Sequence, residues 1–189
     1  MKLNNTYYLL RHGEALSNAK EFMSSWPELR RNPLTDHGKK TIRQAAKILK
    51  ENRIDLIFSS DLLRAKQTAG IVAKALKITP KFDRRLRELD FGIFNGKPKG
   101  DFDSYFTKET ERLGKSVPNG ETYRDVAKRV WDFLRSTDKK YQGKHIVIVS
   151  HECPLLILMA KARKISLLHI LQKTSYQEKF PNGIVRKLR

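Results

Sequence analysis

The sequence predicts an α/β protein, a three-layer α/β/α sandwich with a mostly parallel central sheet. Two observations lead there. Short β-rich apolar runs alternate along the chain with amphipathic helical patterns, the order that builds parallel strands joined by crossover helices. The clearest runs, Tyr7–Leu10 and Ile146–Val149, are apolar without alternation, as strands covered on both faces are. No linker, low-complexity segment or internal repeat interrupts the 189 residues, a length that one core can serve. A single domain over residues 1–189 is therefore expected.

The elements follow in order. After the Tyr7–Leu10 strand, Thr35 to Asn52 reads as a helix, with Ile42, Ala45, Ala46 and Leu49 at i, i+3, i+4 and i+7. Ile54–Phe58 is a second buried strand. Ser60 then stands where a helix cap is wanted, before a helix to about Lys77 with Leu62, Ala65, Ala69, Val72, Ala73 and Leu76 facing inward. Asp90 to Gly100 holds three glycines and a proline and is loop. A short helix is expected over Phe102–Leu113, where Phe94, Phe102, Tyr105 and Phe106 pack rather than line a pocket. Pro118-Asn119-Gly120 breaks it and precedes a longer helix with Val126, Ala127, Val130, Phe133 and Leu134 on one face. The Ile146–Val149 strand leads into a helix from Pro154 to Lys164, and Ile184-Val185 suggests a last short strand.

No apolar run approaches the roughly 20 residues that span a bilayer, and no secretory leader is visible, so no membrane role is expected. A lone cysteine, Cys153, excludes an internal disulfide and fits a reducing compartment, the cytoplasm. The net charge of +19 is the unusual quantity, and the basic excess is marked from Lys139 onward. No RNP, zinc-finger or Gly-Arg pattern accompanies it, so nucleic-acid binding is not expected and a general lure for anionic substrates is the plainer reading. The sequence does not fix an oligomeric state.

Open α/β sheets bind ligands beyond the carboxyl ends of their strands. Beyond the first predicted strand lie Arg11-His12-Gly13-Glu14. Beyond the second lie Ser59-Ser60-Asp61 and then Arg64, and beyond the Ile146–Val149 strand lie Ser150-His151. Two arginines and two histidines are thus expected on one edge of the sheet. Guanidinium forks match phosphate oxygens, and imidazoles donate to them or attack phosphorus.

These residues resemble a known family. Leu10-Arg11-His12-Gly13-Glu14 with Asn18 is similar to the signature of the histidine phosphatase superfamily, the phosphoglycerate mutase-like proteins. Pro33-Leu34-Thr35-Asp36-His37-Gly38 resembles the family's PLTxxG segment. The run from Ser59 to Ala69 is similar to its second phosphate-binding block, and Leu86 to Gly92 to the segment with its acidic catalyst. Asn119-Gly120-Glu121 and Val149-Ser150-His151 complete the order.

The resemblance implies a phosphoglycerate mutase-like fold and a nucleophilic His12 that forms a phosphohistidine. Arg11, Arg64 and His151, with Asn18 as a neutral donor, would surround the phosphoryl group. Glu88 would be the general acid and then the base, which needs a raised pKa. Ser24 is a candidate substrate contact. No metal and no cofactor is called for, and the partner is a small phosphorylated substrate. The short stretch between Gly92 and Gly120 favours hydrolysis over mutase chemistry, since an open site admits water. A phosphoglycerate mutase is the alternative within enzymes, and a non-catalytic module for phospho-ligands or nucleic acid the alternative outside them. One position departs from the pattern: Glu152 stands where the family usually carries glycine. It is expected to face outward and complement the dipole of the helix it begins.

Overall fold

The computed structural model describes residues 2–172 and 180–188. Strand β1 (Thr6–Arg11) leads through a one-turn helix α1 (Leu16–Ala19) to helix α2 (Asp36–Glu51). Strand β2 (Leu56–Ser59), helix α3 (Leu63–Leu76) and a two-residue strand β3 (Lys81–Phe82) follow. A loop region with short helix α4 (Lys99–Ser104) leads to helix α5 (Tyr123–Lys140), strand β4 (His145–Ser150), helices α6 (Glu152–Arg163) and α7 (Leu167–Gln172), and strand β5 (Val185–Lys187). The sheet order is β3-β2-β4-β1-β5. All pairings are parallel except that of β5, which runs antiparallel to β1.

The unbroken apolar runs are explained by the two covered faces. Tyr7, Leu9, Phe58, Ile146 and Ile148 pack with α5 and α6. Their alternates Tyr8, Leu10, Ile57, Val147 and Val149 pack with α2 and α3. Successive strand residues point to opposite faces, so a strand buried on both sides has no polar position to show. Among the described residues no helix is long and apolar enough to cross a membrane.

Local chemistry sets the helix starts. Thr35 Oγ1 accepts the Gly38 N–H at 3.0 Å and caps α2. Thr122 and Asp125 exchange bonds at the start of α5, a reciprocal cap. Ser60 does not cap α3 as expected. The helix begins at Leu63, and Glu28 Oε2, from a distant loop, takes the Leu63 N–H at 2.9 Å. The helix expected over Phe102–Leu113 is two pieces, α4 and a 3₁₀ turn over Glu109–Leu113. Their aromatic residues stack edge to face, with Phe102 5.0 Å from Phe91 and 5.4 Å from Phe106. β3 carried no sequence signal: it is two exposed residues paired on one side only.

Two glycines hold β1's end against α2. A Cβ on Gly38 would lie 2.2 Å from the Glu14 carbonyl oxygen, and one on Gly13 2.8 Å from that of Gly38. At the other edge, β5 closes over the same turn. Gly183 N–H donates to the carbonyls of Arg11 (3.2 Å) and His12 (3.1 Å), and Arg11 N–H donates to Ile184 O at 3.3 Å.

Candidate active site

The carboxyl ends of β1, β2 and β4 meet. His12 N–H donates to Ser150 O, and Ser60 N–H to Val149 O, each at 3.0 Å. These backbone bonds bring His12, Arg64 and His151 into one buried cluster, each at most 2% exposed.

His12 Nδ1 lies 2.7 Å from Gly13 O. A carbonyl can only accept, so Nδ1 carries the ring proton and Nε2 presents a lone pair. Arg64 Nε donates into that lone pair at 3.1 Å. Burial, then the charges of Arg64 and Arg11, hold His12 well below the usual imidazole range, so the ring is neutral near pH 7. His151 faces it with ring centroids 5.0 Å apart and is kept neutral in the same way, by burial and then by Arg64. Its Nε2 lies 2.8 Å from Ser60 Oγ, which accepts the Leu62 N–H. The His151 Nδ1 is buried with no partner, so one ring nitrogen is left for an incoming ligand.

The two guanidiniums are held by groups behind them. Arg64 Nη2 donates to Ser24 O at 2.9 Å and Nη1 to Ser24 Oγ at 3.3 Å, with Glu28 Oε1 3.7 Å away. Burial lowers Arg64 to about 10, still cationic at neutral pH. Arg11 Nη1 donates to Phe180 O and meets Glu152 Oε2 at 2.8 Å, and Arg11 Nε is buried without a partner. Orphaned donors of this kind suit an oxyanion that supplies the missing acceptor.

Burial pushes the Glu88 carboxyl up. The Leu89 N–H on its Oε1 (2.9 Å) and the charges of Arg64 and Arg11 pull the other way, while the charge of Glu152 adds to the rise. Its loop is gripped from α5. Arg129 donates to the carbonyls of Arg85 and Arg87, each at 2.7 Å, and of Glu88 at 2.9 Å. Glu121 holds that guanidinium at 2.8 Å through each carboxylate oxygen and accepts the Asp90 N–H.

Each sequence-predicted residue has a definite place. Arg11, His12, Arg64 and His151 cluster, and Glu88 lies within their field. Ser24 contacts Arg64 rather than standing alone. Asn18 puts its carbonyl on the Ala15 N–H at 3.0 Å, with Asn182 Nδ2 3.4 Å from the same oxygen, and keeps Nδ2 as its donor. Glu152 does not face outward. Its position in the first turn of α6 satisfies the dipole, but Arg11 arrives from β1 at ion-pair distance and turns the carboxylate inward. Cys153 is buried, and burial pushes its thiol up, as suits a small packed residue.

Several contributors escape sequence reading. Thr68 Oγ1 accepts the Gly13 N–H and donates to Arg64 O, stitching β1 to α3, and Asn182 Nδ2 donates to His12 O. Ser60 and Thr68 lie inside the motif that carries Arg64. Glu28 has no such flag, and Asn182 lies in the Asn182-Gly183-Ile184-Val185 stretch that resembles the family only weakly. Among the described residues no three His, Cys, Asp or Glu side chains converge as a metal site requires.

Comparison with known proteins completes the picture. The histidine phosphatase superfamily (branch 1) matches over residues 7–177. The probable phosphoglycerate mutase GpmB of Shigella boydii is 33% identical over 189 residues, spanning 90% of this chain and 85% of that protein. The structure of Bacillus stearothermophilus YhfR superposes with a TM-score of 0.79 at 30% identity, covering 91% of this chain and 86% of that one. A mycobacterial glucosyl-3-phosphoglycerate phosphatase shares the fold with a TM-score of 0.78 at 23% identity, over 96% and 88% of the two chains. Sequence, sheet order and the ordered motifs at the strand ends agree, and so the chain belongs to the histidine phosphatase superfamily, branch 1.

Proposed function

We propose that the protein is a metal-independent phosphatase that hydrolyses phosphomonoesters through a phosphohistidine on His12. The observation that carries this reading is the His12 ring itself. Its Nδ1 proton is committed to Gly13 O, and its Nε2 lone pair lies against a guanidinium. Substrate enters with its phosphoryl oxygens taking the donors of Arg64, Arg11 and His151, and Arg64 Nε moves from Nε2 to a phosphoryl oxygen. Nε2 then attacks phosphorus as the bond to the leaving oxygen breaks, and that oxygen takes a proton from Glu88. The Glu88 carboxylate next removes a proton from water, the water oxygen attacks phosphorus, and the P–N bond breaks. Inorganic phosphate leaves, with His12 neutral and Glu88 protonated again.

Asn18 supplies a neutral donor to the same anion, and Ser24 holds the Arg64 guanidinium in place. The lone buried thiol suits a reducing cytoplasm.

The test is hydrolysis of 4-nitrophenyl phosphate. Activity is expected to persist in chelator and to vanish in His12→Ala, and an acid-labile phosphoenzyme is expected on rapid quenching. Full activity in His12→Ala would sink the reading. The name carried by the GpmB relatives supports a second reading, a phosphoglycerate mutase. Isomerisation of 3-phosphoglycerate that requires a bisphosphoglycerate primer would establish it.

A further inference from the structure

The protein carries a formal charge of +19, yet the cations at its site are paired. Arg11 meets Glu152 at 2.8 Å, and Arg64 has Glu28 3.7 Å behind it. With both histidines neutral, the four groups sum to little net charge. The next guanidiniums along the same segments are committed too. Arg87, one residue before Glu88, binds Asp61 through contacts of 2.6 and 2.7 Å, and Arg112 binds Asp103 and Glu109.

Glu152 is the unusual member of this set. Glu28 also caps α3, and its carboxylate has a structural partner there. Among the described residues no backbone N–H donates to Glu152. It reaches Arg11 with its side chain 34% exposed, so a partly open carboxylate stands beside a guanidinium that the phosphoryl group needs.

We propose that Glu152 is a specificity-determining residue, which admits phosphomonoesters whose leaving group is uncharged or cationic and turns away those bearing a second anionic group. The proposal rests on the phosphatase reading and narrows its substrate class. Two effects act together. A carboxylate on the leaving group would be repelled by Glu152, while Arg11, Arg64, Arg87 and Arg112 already have carboxylate partners. The phosphoryl group must also share Arg11 with Glu152, which weakens retention of the phosphate dianion and speeds its departure as product. At an effective dielectric of about 20, one such charge within several ångströms changes discrimination by about tenfold or more.

The experiment compares ethanolamine phosphate, glycerol 1-phosphate and 3-phosphoglycerate, with cationic, neutral and anionic leaving groups of similar size. Wild type is expected to favour the first two over the third by about tenfold or more in kcat/KM. Glu152→Gln is expected to bring that ratio close to unity and to lower the inhibition constant of inorganic phosphate, and Glu152→Asp to keep the ratio. A ratio taken within one variant is unaffected by the fraction of protein folded. The same ratio in wild type and Glu152→Gln, or a wild type that prefers 3-phosphoglycerate, overturns the proposal. Should wild type hydrolyse neither these three nor 4-nitrophenyl phosphate, the phosphatase reading fails separately. Calorimetric binding of inorganic phosphate then decides on Glu152: tighter binding by Glu152→Gln supports the role, and equal binding overturns it.

Discussion

A buried imidazole beside two guanidiniums has one stable state near neutrality, the uncharged one, and this protein holds two of them. Both His12 and His151 have folded-state pKa values below the value near 6.5 of an open chain. Between those values the unfolded chain binds more protons, so stability falls as pH drops below about 6.5, by about 1.4 kcal/mol per histidine for each pH unit. Thermal midpoints measured from pH 7 to pH 5 should show the fall, and a His12→Gln, His151→Asn double variant should flatten it. Glu88 is shifted the opposite way, upward. In the proposed role of acid it must be protonated, so kcat/KM is expected to decline as pH rises through its raised pKa. In Glu88→Gln that limb should disappear along with most of the rate, about 10²–10⁴-fold. A pH–rate profile of the two proteins checks both points.

At the scale of elements, the loop that carries Glu88 has little regular structure of its own and borrows its shape from α5. Arg129 collects three of its carbonyls, and Glu121 fixes Arg129. Arg129→Met is expected to lower kcat by up to about 10²-fold with a smaller change in KM, because a displacement near 1 Å is enough for such a loss. Steady-state kinetics on that variant test it, and a proportional change in KM would count against it. Gly38→Ala forces apart the Glu14 backbone and the first turn of α2, and should cost about 1–3 kcal/mol or more in denaturant titrations. The same scale explains what could be read in advance. Strands, helix stripes and motif residues are written in neighbouring positions, so Arg11, His12, Arg64 and His151 could be placed from strand ends alone. Glu28 at the start of α3 and Asn182 against His12 come from remote segments, and only the folded path of the chain unites them. Glu152 shows how a local rule loses: the helix dipole permits its position, but a guanidinium from another strand decides where it points.

The whole molecule sets a broad positive field around a pocket whose own charges nearly cancel. Such a field raises encounter rates with anions without holding them. For a neutral-leaving-group phosphate ester, kcat/KM is expected to fall as salt rises toward 0.5 M while kcat stays nearly constant, a split that initial-rate kinetics will show. The other whole-molecule feature is closure by the late chain. Phe180 O binds Arg11, Asn182 reaches His12, and Gly183 and β5 seal the backbone between them, from 170 positions downstream. During synthesis, then, His12 emerges well before the segment that fixes its backbone, and the turn that holds it is completed only once Phe180 to Gly183 have followed. A chain truncated before Phe180 is therefore expected to lack the proposed activity even where its strands and helices have formed.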